Sequence, residues 1–271
     1  MPPVLALPTI RTFHYAEFDA EELAAAKRRR RAAVHVVIPA RDEEDTIGAI
    51  VSAVRRDLMQ VVQLVDELVV VDDQSDDATG ALAAANGARV VAGPGAGKGE
   101  AMAHGVASLT TAWSGPEPSD RVVVFLDGDV RGFGSGYVTG LLGPLLCEEG
   151  IDLVKGRYRR PLGDQPTGGG RVTELLAKPA LRLFFPELGL LDQPLAGEAA
   201  IRWSLLDEIT LAGGYAVEVA MIIDTYLARG ANAIAEVDLG ERRHRNRNLE
   251  ELVPEAETVL QTIVERARTR P

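Results

Sequence analysis

The chain predicts an α/β fold built on a mostly parallel central sheet with helices on both faces. Three observations predict it. Strand-like and helix-like segments alternate through the first half of the chain, the strands are nearly continuous apolar runs, and each is followed by a polar, acidic or glycine-rich turn. In such sheets ligands bind beyond the carboxyl ends of the strands, where those turns fall.

In chain order, residues 1–31 read as an appended helical arm that ends in "KRRRR", Lys27 to Arg31. A solvated helix end is the simpler reading of that basic run. Strands are expected at "AVHVVIPA" (33–40), "ELVVVDD" (67–73), "ARVVAG" (88–93), "RVVVFLD" (121–127) and "DLVKGRY" (152–158). Between the first four lie "EDTIGAIVSAVRRDL", "DATGALAAANG" and "GEAMAHGVASLTTAW", each with helical period. From 161 to 216 the pattern loosens: "TGGGRVTELL" starts a helix, while "QPLAGE" and "LAGGYAVE" read as loops. A helix at 217–229, a strand at 233–239 and a helix after 249 complete the chain.

A length of 271 residues suits one large domain. The sequence has no apolar run of the ~18 residues that cross a bilayer and no signal-peptide pattern at its start, so a cytoplasmic protein without membrane contact is expected. A net charge of −11 argues against nucleic acid as a partner. The single cysteine, Cys147, rules out an intrachain disulfide framework and a cysteine-rich zinc site, leaving packing as its expected role.

Several motifs invite chemistry. "GPGAGKGE" fails the phosphate-loop pattern G-x-x-x-x-G-K-[ST] at two positions, Ala92 and Gly99. Lys98 is left to meet a phosphate as a point charge near a helix start. A dinucleotide fingerprint fails too, because "IPARDEED" has no glycine. Asp72, Asp73, Asp76 and Asp77 crowd one turn, where helix capping suffices for most and a nucleoside contact is the alternative.

Asp127 and Asp129, in "FLDGD", form a D-x-D at a strand end. Such a pair is a turn, or it is bridged by a hard cation such as Mg²⁺ or Mn²⁺, and that cation points to a phosphate-bearing substrate. "TGGGRVTE" (167–174) offers a second anion site through its glycine N–H groups, Arg171 and Thr173. Of four histidines, His14, His35 and His104 call for packing or exposure. His244, among the arginines of "RRHRNR" (Arg242 to Arg247), is biased toward the neutral, metal-binding form.

Taken in order, "IPARDEEDTI", "VDDQSDDAT", "GKGEA", "FLDGD", "TGGGRVTEL", "QPLAGE", "GYAVEVA" and "HRNR" resemble the GT-A glycosyltransferases that make glucosyl-3-phosphoglycerate. Related mannosyl-3-phosphoglycerate synthases belong with them. The resemblance runs from about 34 to 248 and implies a Rossmann-like GT-A glycosyltransferase fold with a helical acceptor-side extension. It implies a nucleotide-sugar donor bound within 32–160, 3-phosphoglycerate bound within 161–271 of the same domain, Mg²⁺ or Mn²⁺, and a homodimer. The implied reaction moves a hexose to the 2-hydroxyl of the acceptor with retention of configuration.

Carried over by residue, Pro39, Ala40, Arg41, Glu43 and Ser75 border the nucleoside, with Lys98, Asp127, Gly128 and Leu195 also on the donor. Asp129 and His244 hold the metal. Gly170, Arg171 and Thr173 grip the acceptor phosphate with Asn246 nearby, and Leu195, Ala196 and Gly197 form a loop under the sugar. Glu218, Asp127 and Lys98 are the catalytic candidates.

Two positions depart from the glucosyl enzymes. Arg41 stands where they tend to have an apolar residue, and Gly128 replaces their usual serine. Arg41 offers donors to the O6 and N7 acceptors of guanine, so the choice between uridine and guanosine donors stays open. Mannose transfer from GDP-mannose and, more remotely, a sugar-phosphate nucleotidyltransferase are the alternatives. An inactive nucleotide-sugar-binding module is a third.

Overall fold

The computed structural model describes residues 10–109, 120–159, 161–162, 165–168, 170–242 and 249–269. Its strands are β1 (Arg11–His14), β2 (Ala32–Ala40), β3 (Glu67–Asp72), β4 (Arg89–Ala92), β5 (Asp120–Phe125), β6 (Leu153–Arg159), the small pair β7 (Pro161–Leu162) and β8 (Gln165–Gly168), β9 (Ala199–Arg202) and β10 (Ile234–Glu241). Its α-helices are α1 (Ala20–Arg30), α2 (Ile47–Ala53), α3 (Thr79–Ala85), α4 (Lys98–Ser108), α5 (Gly136–Cys147), α6 (Lys178–Phe184), α7 (Trp203–Leu206), α8 (Val217–Arg229) and α9 (Leu249–Arg268). Wider π-helical turns extend α2 over Val54–Val61 and lead into α6 over Thr173–Ala177.

Eight strands form one sheet in the order β1-β10-β6-β9-β5-β2-β3-β4. Every neighbouring pair is parallel except those of β9, which runs antiparallel to β5 and β6. The alternation of side chains along β2 explains the two layers of core. Val34, Val36 and Ile38 pack with α1, α2 and α5, while Val37 points the other way toward α4 and the α8 side. From β2 the chain first builds β3 and β4 on one side and then returns to place β5 on the other. The crevice beyond the carboxyl ends of β2 and β5 is therefore the topological switch point where such sheets bind ligands. Among the described residues no helix is long and apolar enough to cross a membrane.

Several sequence expectations are corrected. Residues 10–31 do not form an appended helical arm: β1 closes one edge of the sheet against β10, and among these described residues only Ala20–Arg30 is α-helical. The cause is α5, a helix the sequence hides behind Gly136, Gly140, Gly143 and Pro144. A β-carbon on Gly136 or Gly140 would press on Tyr15, and one on Gly143 would overlap the Phe18 ring. The glycines are the groove into which the N-terminal segment docks. β9 falls where a loop-rich stretch was expected, since four residues carry too little pattern to be seen.

Lys27 is not part of a solvated helix end. It is buried, donating to Asp66 Oδ1 at 2.6 Å and to the Gln63 carbonyl at 3.2 Å, while Asp66 Oδ2 accepts the Val34 N–H. Cys147 is exposed rather than packed.

Arg202, on β9, ties three elements together. Its guanidinium donates to Asp120 at the start of β5, to the Leu145 carbonyl of α5 at 2.5 Å and to the Ile151 carbonyl at 3.0 Å. Arg202→Ala leaves a part-buried carboxylate and two carbonyls without their donor. It is expected to lower the unfolding free energy by about 2–4 kcal/mol, read from chemical denaturation.

Candidate active site

The turns beyond β2 and β3 are laced to one another. The Asp42 N–H donates to Ser75 Oγ (3.1 Å), the Asp76 N–H to Asp42 Oδ1 (2.8 Å), and the Glu43 N–H to Thr79 Oγ1 (2.7 Å). Pro39 and Ala40 end β2, Arg41 is exposed beside Asp42, and Glu43 faces the D-x-D. The N-cap position of α3 falls on Ala78, so none of the aspartates caps the helix from that position; Asp77, one residue before it, accepts from the Thr79 N–H at 2.8 Å. Buried Asp73 accepts instead from the N–H groups of Gly95 (2.6 Å) and Gly97 (3.4 Å), and so shapes the glycine loop that delivers Lys98.

Lys98 is the first residue of α4 and Glu218 lies in the first turn of α8. The two helix starts converge, because a β-carbon on Gly99 would overlap the Ala212 carbonyl and the Gly214 N–H donates to Glu100 Oε2 at 2.9 Å. At the meeting point Lys98 Nζ lies 2.6 Å from both Asp127 Oδ1 and Glu218 Oε1. Burial opposes a charge on Lys98, but the two carboxylates outweigh it and hold the ammonium protonated.

Asp127 receives a second cation. Arg242 follows β10 directly, is anchored by its N–H to the Arg159 carbonyl (3.0 Å), and donates from both terminal nitrogens to Asp127 Oδ2 at 3.0 Å. It also reaches Asp129 Oδ1 (2.5 Å), Tyr158 Oη (3.2 Å) and Glu198. Burial would push the Asp127 carboxyl up, yet Lys98 and Arg242 keep it far below the usual carboxylate range.

The "QPLAGE" loop is fastened beneath this cluster at four points. Buried Glu236 accepts the N–H groups of Asp192 and Gln193, and Lys155 donates to the Ala196 carbonyl at 2.5 Å. Gly197 lies so close to Asp127 that any β-carbon would overlap its carboxylate, and Glu198 binds Arg242. Burial draws Lys155 down to about 8. Half-buried Leu195 lies in the same loop. A β-carbon on Gly128 would stand 3.3 Å from both Ala40 and Glu43, so the glycine suits the close approach of the two turns.

The structure thus brings together Lys98, Asp127, Asp129 and Glu218. It adds Arg242, Glu198, Lys155 and Tyr158, which the sequence reading did not assign. Lys155 carried a signal, a cation directly after the apolar pair Leu153–Val154 on the strand, and Glu198 another, an acid leading into the apolar "AAI". Gly170, Arg171 and Thr173 open the helix over 171–184, with Gly170 at φ 75° and Thr173 buried. His244 and Asn246 lie outside the described residues.

Among the described residues no three potential metal ligands converge. The residues present nonetheless fit a hard divalent cation: Asp129 offers carboxylate oxygens with 45% of its side chain exposed, and a cationic group, the Arg242 guanidinium, already sits against it.

Residues 35–143 match the model of the glycosyl transferase family 2. The chain is 43% identical over 276 residues to the glucosyl-3-phosphoglycerate synthase of Mycobacterium tuberculosis, covering 96% of this chain and 81% of that one. A crystal structure of the M. tuberculosis enzyme with Mn²⁺, UDP-glucose and phosphoglyceric acid superposes with a TM-score of 0.83 at 41% identity, over 97% of this chain and 89% of that one. The mannosyl-3-phosphoglycerate synthase of Rubrobacter xylanophilus gives 0.84 at 38% identity, over 95% and 81%.

Burial, then Asp129, Asp127 and Asp77, push the Glu43 carboxyl up to about 7, from an ordinary value of 4.5. The folded protein therefore holds a proton that the unfolded chain releases between those values, and this group's contribution to stability falls as pH rises through the window. Glu43→Gln removes that slope. In metal-free buffer its melting temperature should gain on the parent's from pH 5 to pH 8, and a constant difference between the two would refute the assignment.

Proposed function

The chain belongs to the glucosyl-3-phosphoglycerate synthase family of glycosyltransferases, and from that premise we propose how its residues divide the transfer of glucose from UDP-glucose to 3-phosphoglycerate. The observation that carries the proposal is the cluster at the switch point, where Lys98, Arg242 and two helix starts face a D-x-D. Buried ion pairs of this density add little to stability, and their place beyond the strand ends supports a functional reading of them.

In this reading Pro39, Ala40, Arg41, Glu43 and Ser75 border the nucleoside, and Asp127, Gly128 and the Leu195–Gly197 turn cradle the ribose and sugar. Asp129, with His244, would hold Mg²⁺ or Mn²⁺, which supplies Lewis-acid stabilisation of charge on the diphosphate. Lys98 stays protonated and adds a fixed positive charge where the leaving diphosphate gains negative charge. The 2-hydroxyl of the acceptor attacks the anomeric carbon on the face the diphosphate leaves. As the carbon–oxygen bond to the diphosphate breaks, the hydroxyl proton passes to the departing phosphate oxygen, giving UDP and a product of retained configuration. Glu218, held through Lys98, orients the hydroxyl or shields positive charge on the sugar.

Gly170, Arg171 and Thr173 bind the acceptor phosphate with Asn246. The exposed Leu175, Leu183 and Leu190, on and beside α6, support a homodimer. The net charge of −11 leaves nucleic acid out. The substrates and the lone thiol suit the cytoplasm.

Incubation with labelled UDP-glucose, 3-phosphoglycerate and Mg²⁺ is expected to yield glucosyl-3-phosphoglycerate and UDP, and the parallel incubation with labelled GDP-mannose to yield little mannosyl-3-phosphoglycerate and GDP. Pyrophosphate release from a nucleoside triphosphate would mark a nucleotidyltransferase instead.

Arg171→Ala tests the acceptor site. A charge-assisted hydrogen bond is worth about 1.5–3 kcal/mol, so the acceptor KM should rise roughly tenfold to a hundredfold with the donor KM nearly unchanged. Arg171→Lys should recover part of the loss, since it keeps the charge without the planar fork. A mutant that keeps the parent's full preference for 3-phosphoglycerate over glycerate would move the phosphate elsewhere.

A further inference from the structure

Glu198 has no part in the reaction as described, yet it is fully buried beside the residues that do. One of its oxygens, Oε1, accepts from Arg242, while Oε2 is buried with no hydrogen-bond partner among the described residues. A buried carboxylate oxygen without a donor is costly, and one lying beside a guanidinium calls for an explanation. The guanidinium, for its part, is overcommitted. Its NH1 nitrogen has two N–H donors and faces three acceptors, Glu198, Asp127 and Tyr158, while NH2 faces Asp127 and Asp129.

The contact with Asp129 matters most. At 2.5 Å the guanidinium occupies an oxygen that a divalent cation would need. If it gave up Asp129 with nowhere to turn, a group only 3% exposed would lose a charge-assisted bond without water to replace it. A planar fork pairs best with both oxygens of one carboxylate, and Glu198 has its second oxygen open.

We propose that Glu198 is a positioning residue for cation loading: it takes the Arg242 guanidinium onto both of its oxygens and so releases Asp129 to the divalent cation. The proposal rests on reading Asp129 as a cation ligand. Glu198 then acts through Arg242 and never touches substrate.

Binding of Mn²⁺ alone to the full chain, followed by the electron paramagnetic resonance of free Mn²⁺, tests it apart from turnover. Glu198→Gln keeps the size and one acceptor but removes the charge that competes for the guanidinium. It should weaken Mn²⁺ binding tenfold or more. The double variant Glu198→Gln/Arg242→Gln lacks the competitor and should return to within threefold of the parent, a restoration that a purely structural role does not produce. Should Glu198→Gln fail to fold, Arg242→Gln alone carries the test, since removing the competitor must tighten Mn²⁺ binding. Asp129→Asn separates the two failures. Mn²⁺ binding retained in that variant overturns both the ligand reading and the proposal. Loss there, with Glu198→Gln folded and within twofold of the parent, overturns the proposal alone.

Discussion

Asp127 is held between two cations, and the arrangement of the molecule follows from that constraint. Lys98 comes from 29 positions earlier and Arg242 from 115 positions later, so the carboxylate joins the start of α4, the end of β5 and the end of β10 at one point. Neither cation is placed by chance. Asp73 fixes the turn before Lys98, and the Arg159 carbonyl fixes the backbone of Arg242. The sheet order provides the opening, because β2 and β5 lie side by side and parallel while the chain continues from them to β3 and β6 on opposite sides of the sheet.

The same point gathers positive potential from the backbone. The starts of α4 and α8 meet there, adding the partial charge of two helix N-termini to the side-chain cations. Against this stand Asp127, Asp129, Glu198 and Glu218, so the site is finely divided between the two signs rather than uniformly basic. Such a site suits a substrate that arrives as a diphosphate together with a metal, since neither charge enters alone.

The sequence was legible where pattern and chemistry coincide. The strand ends at "IPA" and "FLD" marked the crevice, and the glycine before Lys98 marked its helix start. It was opaque where packing overrides pattern. Three glycines and a proline disguise α5, whose reason is the docking of Tyr15 and Phe18, partners more than a hundred positions away. Lys155, Glu198 and Arg242 escaped assignment for a related cause: the role of a buried charge is set by its partner, and each partner lies on another strand or loop. His244 rests on its arginine neighbours and on resemblance, and Asn246 on resemblance alone.

The pairing of β10 has a consequence for how the protein is made. β1 and β6 both hydrogen-bond to β10, a strand emerging late in synthesis, and Arg242 emerges later still. Contacts of such long sequence separation are entropically slow to form, and nascent chains fold from the N-terminal side. On the ribosome, then, β2 to β5 can assemble early, but Asp127 and Asp129 wait without their arginine and β1 without its neighbour. The last strand completes the sheet edge and the charge balance in a single event, so a chain released before β10 would lack both.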